Sequence, residues 1–252
     1  VAQPFADYVR VTKNQFAVLL HYGIEITDEL RATNQIEATL FDRLILPRYT
    51  VNNIRKLEQG ACYICVHFFE ADAIEKATGK RYHLAFRIIT NNGISKCIEI
   101  LSPSQAVFQQ EFPNHEKVES LLNYNKFAVT LNDLAGSWDS SSGSYAQMYN
   151  TITGDYAGMN SSSSADSFTF KSNGTYESNH KGAFGMVGSM KFYDQKYNGA
   201  LTVSPWEITM TKRFDGKTVT YWAQYEAVRG GRVLHLTDKT ASGLQYHLGR
   251  KN

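Results

Sequence analysis

Apolar and polar positions alternate with period two along QFAVLLHYGIEIT. Phe16, Val18, Leu20, Tyr22, Ile24 and Ile26 fall on one face, and Ala17, Leu19, His21, Gly23 and Glu25 on the other. Successive side chains of a strand point to opposite faces, so the stretch predicts a half-buried strand. QIEATLFDRLILP alternates through Ile36, Ala38, Leu40, Leu44 and Leu46, stops at Pro47, and predicts a second. ACYICVHFFEADAIE predicts a third, joined to RYHLAFRIIT across Ala77-Thr78-Gly79-Lys80. Asn92-Gly93 is a strong hairpin signal and leads into ISKCIEIL. The first half is therefore expected to be mainly an antiparallel meander. Helix signals follow it. Ser102 suits a cap, Pro103 the first helical position, and Gln105 completes a capping-box pattern, with the helix ending before Pro113. NHEKVESLLNYN predicts a second short helix capped by Asn114. Strands followed by helices make residues 1–126 an α+β domain.

Near 127–134 the texture changes. Short strands at 134–139, 165–172, 174–180, 188–194, 199–203, 206–213, 217–228, 232–237 and 244–250 alternate with turn residues. The turns are Asn173-Gly174, Asn198-Gly199, Asp215-Gly216 and Gly230-Gly231, and SSSSAD is expected to be a solvated loop. That spacing predicts a β-barrel or sandwich over 134–252. No repeat relates the two halves.

Composition narrows the function classes. With 26 Lys+Arg against 24 Asp+Glu, the formal charge of +2 offers no concentrated basic face for nucleic acid. No run of about 18 apolar residues could cross a membrane as a helix. The chain begins at Val1, which suggests a removed signal peptide or a trimmed end. With 13% aromatic residues and a Ser-, Gly-, Asn- and Thr-rich second half, an exported protein, extracellular or periplasmic, is expected. The CYIC pair has redox or metal spacing, yet it lies in a strand-like run where residues three apart face opposite ways. Cys62, Cys65 and Cys97 are expected to be free thiols, and no second pair of ligands completes a metal site.

Candidate chemistry is sparse. His21 with Glu25, and His83 with Arg87, share strand faces and could line a polar pocket between the domains or simply face solvent. No nucleophile elbow, zinc-protease motif or phosphate loop is present. Asp139 with Ser140, Ser141 and Ser142 reads as flexible loop. No catalytic residue, metal ligand or cofactor is assigned. Phe168, Phe170, Tyr176, Phe192, Trp206, Tyr221, Trp222 and Tyr225 lie on the later strands. They either fill the core or line a cavity; the candidate ligand-binding set is Phe170, Tyr176, Phe192, Trp206, Tyr221 and Tyr225.

Three stretches carry a resemblance. Gly136-Ser137-Trp138 stands as Gly-x-Trp at the entry to the first later strand. DSFTFKSNGTYES has the form of a bacterial lipocalin-like hairpin, and GGRVLHLTDK with LQYHLGRKN the form of the closing strands, with Arg250 as a late Arg. Residues 130–252 thus resemble the lipocalin-like (calycin) β-barrels of exported bacterial proteins; residues 1–125 resemble no family. The resemblance implies a mainly β chain ending in an antiparallel barrel, with Trp138 plugging one end and Arg250 stacked on it. It also implies a non-enzymatic binding protein whose barrel holds a small apolar or amphipathic ligand. A structural or protein-interaction module with a filled barrel is the alternative, and an enzyme with a site at the domain junction a further one.

Overall fold

The computed structural model describes every residue except 59–64, 115, 150, 154–155, 242 and 252, and at 58, 65, 116, 145, 149 and 157 the backbone alone. The chain forms two compact units. One comprises Val1–Asn125 with Ala227–Gly230, the other Lys126–Glu226 with Gly231–Asn252.

The first unit contains β1 (Ala2–Pro4), β2 (Tyr8–Lys13), β3 (Phe16–Glu25), α1 (Asp28–Ala32), α2 (Ile36–Leu44), β4 (Tyr49–Glu58), β5 (Cys65–Glu75), β6 (Arg81–Asn91), β7 (Ile94–Ser102), α3 (Gln105–Glu111) and α4 (Glu116–Glu119), then a 3-10 turn at Ser120–Tyr124. Its seven strands pair in the order β1-β2-β3-β7-β6-β5-β4, and the pairs are antiparallel. The antiparallel run of β5, β6 and β7 follows the expectation, β4 beside it is not part of that expectation, and Asn92 and Gly93 turn β6 into β7 with positive φ values of 48° and 76°.

Residues 36–44 correct the sequence reading: they form α2, not a strand. Leu40, Phe41 and Ile45 are buried, and their spacing of one and four residues is that of one helix face. In a strand Phe41 would have pointed to the polar side. These side chains pack against Phe69, Leu84, Phe86, Ile88 and Cys97 on one face of the sheet. The other face is covered by α3, whose Phe108 and Phe112 meet Phe68 and Phe16. The cap of α3 is Ser104, whose hydroxyl accepts from Val107 N (3.3 Å), and not Ser102; the latter instead donates to the carbonyls of His83 and Ser104.

The second unit opens with α5 (Leu131–Leu134), capped by Thr130, whose Oγ1 accepts from Asp133 N. Then follow β8 (Gly136–Tyr149), β9 (Tyr156–Lys171), β10 (Thr175–Met186), β11 (Ser189–Ser204), β12 (Glu207–Met210), β13 (Val219–Val228), β14 (Gly231–Asp238) and β15 (Gln245–Arg250). They close into an eight-stranded barrel in sequence order, β15 returning to β8. No helix among the described residues is long and apolar enough to cross a membrane.

Two further readings are corrected. Residues 140–149 and 156–164, expected to leave the barrel as loop, are the far halves of β8 and β9. Asn198-Gly199, expected as a turn, lies inside β11. A Cβ at Gly199 would stand 2.4 Å from the carbonyl oxygen of Thr211, so the glycine allows a close backbone approach, not a reversal.

The strands β8 to β11 outrun the others. β15 pairs with β8 only at Gly249↔Asp139 and Arg250↔Trp138, and β12 pairs with β11 only over Leu201–Ser204. Beyond these levels β8, β9, β10 and β11 pair only with one another among the described residues. They form a four-stranded blade that continues the barrel wall.

Candidate interaction site

The barrel interior is built from alternate residues of each strand. Trp138, Phe168, Phe170, Tyr176, Ile208, Met210, Tyr221, Tyr225, Leu234, Leu236, Tyr246 and Leu248 point inward and form one buried cluster. Four of the proposed ligand contacts, Phe170, Tyr176, Tyr221 and Tyr225, are therefore core residues at 1% exposure or less. The structure does not bring the other two to them. Phe192, at 79% exposure, stands on the blade, and Trp206 is also exposed.

Arg213, from the loop after β12, enters this interior and is completely buried. Its guanidinium carbon lies 4.7–5.9 Å from the ring centres of Phe168, Tyr176, Tyr197, Phe214 and Tyr221. Its nitrogens donate to Tyr221 Oη (3.2 Å), Ser178 Oγ (2.7 Å) and Tyr246 Oη (3.3 Å), and one lies 3.1 Å from His180 Nε2. A guanidinium only donates, so His180 Nε2 must accept, and Nδ1 carries the proton it gives to Asp166 Oδ1 at 2.7 Å. Ser178 sits 3.1 Å from His180 Nε2. The order Asp166, His180, Ser178 is that of an activated nucleophile. Here the hydroxyl is buried, held by Arg213, and faces packed rings, so the group fixes the polar end of a filled barrel. Burial raises the phenols of Tyr176, Tyr221 and Tyr246, against the pull of Arg213.

Above this level the inward face of the blade has no core to cover. It carries Ser140, Ser142 and Ser144 on β8 and Ser162 and Ser164 on β9. Ser142 pairs with Ser164 and Ser144 with Ser162, each hydroxyl pair at 2.8 Å. The ring of Tyr193 lies across Gly182, where a Cβ would come within 2.4 Å of its hydroxyl. Such cover of a strand glycine by an aromatic ring stabilises a pairing with no hydrophobic backing.

Toward the blade's end the polar character gives way. Met148, Met159, Met186 and Met190, four of the chain's five methionines, lie there. The methyl groups of Met148 and Met186 converge on Gly158, and Val187 N donates to Met159 O at 2.9 Å. Phe184 and Val187 are exposed at 50% and 59%.

In the first unit the two histidine sets lie on opposite faces of the sheet. His21 faces α2 and bonds Glu99 at 3.1 Å, while Glu25 is exposed. Arg48 forks onto both Glu99 oxygens and Tyr49 Oη donates to Oε1 at 2.8 Å. Burial alone would raise the Glu99 carboxyl, but His21 and Arg48 outweigh it and hold it below the ordinary range. A cleft of about 380 Å³ lined by Arg10, Arg48 and Tyr82 adjoins this cluster. On the opposite face His83 sits 3.5 Å from Glu70, and Arg87 bonds Glu119 at 3.0 Å. Cys97 is buried and free; Cys62, and the side chain of Cys65, lie outside the described residues.

Neither a family model nor a curated protein matches this chain. The closed eight-stranded antiparallel barrel after an antiparallel sheet is compatible with a lipocalin-like domain.

Proposed function

We propose that the chain is a non-enzymatic interaction protein, in which a filled lipocalin-like barrel carries a blade whose end engages an apolar surface of a partner protein. One observation carries this reading: the end of the blade gathers four methionines with exposed Phe184 and Val187, on the far stretches of strands whose core residues lie only at the barrel end. Methionine is unbranched and polarisable, and it suits surfaces that adapt to a partner. Apolar side chains gathered at an exposed position mark a contact surface. A small ligand inside the barrel would instead have to displace Tyr176 and Tyr221, whose hydroxyls are already bonded to Thr211 O and Arg213. An exported bacterial setting belongs to the same reading, supported by the Ser-, Gly- and Tyr-rich strands that replace charge with neutral polarity.

The test is site-specific photocrosslinking in the producing cell from position 184, with position 222 on the barrel as reference. A partner protein captured at 184, and lost when Met186 and Val187 become Ser, is the expected result. Native mass spectrometry of freshly purified protein supplies the opposing outcome. A small molecule released in equal stoichiometry only on unfolding would overturn the filled-barrel reading.

A further inference from the structure

We propose that the open edge of β8 pairs antiparallel with the same edge of a second copy, joining two blades into one eight-stranded sheet. The inference stands apart from the reading of the blade's end, because edge and end are different surfaces.

The blade has two open edges, and the chain treats them differently. On β11, residues 189–199 carry Lys191, Asp194 and Lys196, the charges that discourage edge-to-edge pairing. On β8, residues 140–149 read SSSGSYAQMY, with neither a charge nor a proline. The pairing of β15 stops at Asp139, so from Ser140 to Met148 no described strand occupies that side of β8. Ser141, Ser142, Gly143 and Ser144 are exposed. Along such an edge alternate residues aim N–H and C=O groups outward, ready to bond another strand. Of the two edges that barrel closure leaves open among the described residues, this one is long and uncharged.

The chemistry of the strand selects its own copy as partner. Two identical antiparallel strands are related by a two-fold axis through one residue. With the axis at Gly143, Ser142 stands opposite Ser144 of the second copy, and Ser140 opposite Ala146. Ser142 and Ser144 already form hydroxyl pairs with β9, so the dimer continues the same ladder across the new seam. Gly143 brings no side chain to the axis, and no charges meet. An isologous pairing of this kind closes on itself and ends at two copies. Paired strands alone bury little area, so the dimer should be concentration-dependent.

Sedimentation over a range of concentrations should show a monomer–dimer equilibrium. Ser142→Lys with Ser144→Lys sets like charges directly opposite one another and should weaken the dimer roughly tenfold or more. Lys191→Ser with Lys196→Ser, on the other edge, should leave it unchanged. Gly143→Cys should give a covalent dimer on mild oxidation, because opposed strand residues lie within disulfide reach, and Lys196→Cys should not. A Cβ at residue 143 meets only Ser162 O at 3.6 Å, so the variant fits the fold. A chain that stays monomeric at every concentration, a dimer indifferent to the lysines, or crosslinking at position 196 but not 143 would overturn the proposal.

Discussion

Trp138 and Arg250 face each other directly across β8 and β15, and each also holds α5. The guanidinium carbon lies 5.8 Å from the indole centre. Trp138 Nε1 donates to Leu134 O at 2.7 Å, and Arg250 to Ala135 O at 2.9 Å. The pair therefore closes the barrel seam and fixes the helix leading into it. Trp138→Ala should cost about 3–5 kcal/mol, as for a large buried ring. Arg250, exposed at the rim, should cost about 1 kcal/mol on truncation to Ala. Urea denaturation of both single variants and the double variant should give a clearly non-zero coupling; strict additivity would mean that the stacking contributes nothing.

Arg213 is a buried cation held by hydroxyls and rings. Arg213→Ala should destabilise the barrel by about 3–5 kcal/mol, since it opens a cavity and strands Ser178 and the Tyr246 hydroxyl. Nitrogen NMR should find His180 with its proton on Nδ1. A proton on Nε2 would contradict the bonding direction set by Arg213.

Gly199 and Gly182 are both strand glycines with a close neighbour, and they should respond differently. At Gly199 the obstacle is the backbone carbonyl of Thr211, which cannot move without breaking the sheet. Gly199→Ala should therefore cost about 1–3 kcal/mol. At Gly182 the obstacle is the far end of the Tyr193 side chain, which can swing aside, so Gly182→Ala should cost clearly less. Equal melting temperatures for the two variants would refute the distinction.

Glu99 links the first unit to pH. Its carboxyl is held below the ordinary value of 4.5 in the folded chain. The stabilisation this brings is complete above about pH 4.5 and is lost as pH falls through the folded value. Glu99→Gln should thus be less stable than the parent at neutral pH, with the gap narrowing in acid. Chemical denaturation at several pH values checks it; a gap that widens in acid would mean the carboxyl is not charged in the fold.

Much of the barrel can be read from the sequence because its strands have one dry face. Phe168, Phe170, Tyr176, Tyr221 and Tyr225 alternate with polar residues, and Asn173-Gly174 and Gly230-Gly231 mark turns. The blade escapes that reading because both its faces are wet, and a strand without a buried side has no apolar period. Residues 36–46 fit both periods until Phe41 and Ile45 are weighed together. Arg213 gave no local signal at all. It sits in TKRFDG beside two other charged residues, and its five rings come from β9, β10, β11, β13 and its own neighbour Phe214.

The wet blade also makes the reach of this protein adjustable. Each strand advances about 3.4 Å per residue, and side chains return to the same face every second residue. Inserting two residues into each of β8, β9, β10 and β11 would move the methionine end outward by about 7 Å while every other side chain keeps its face. No core has to be repacked, since none exists there. The distance between the barrel and whatever the blade meets can thus drift by small insertions, with the fold beneath it untouched.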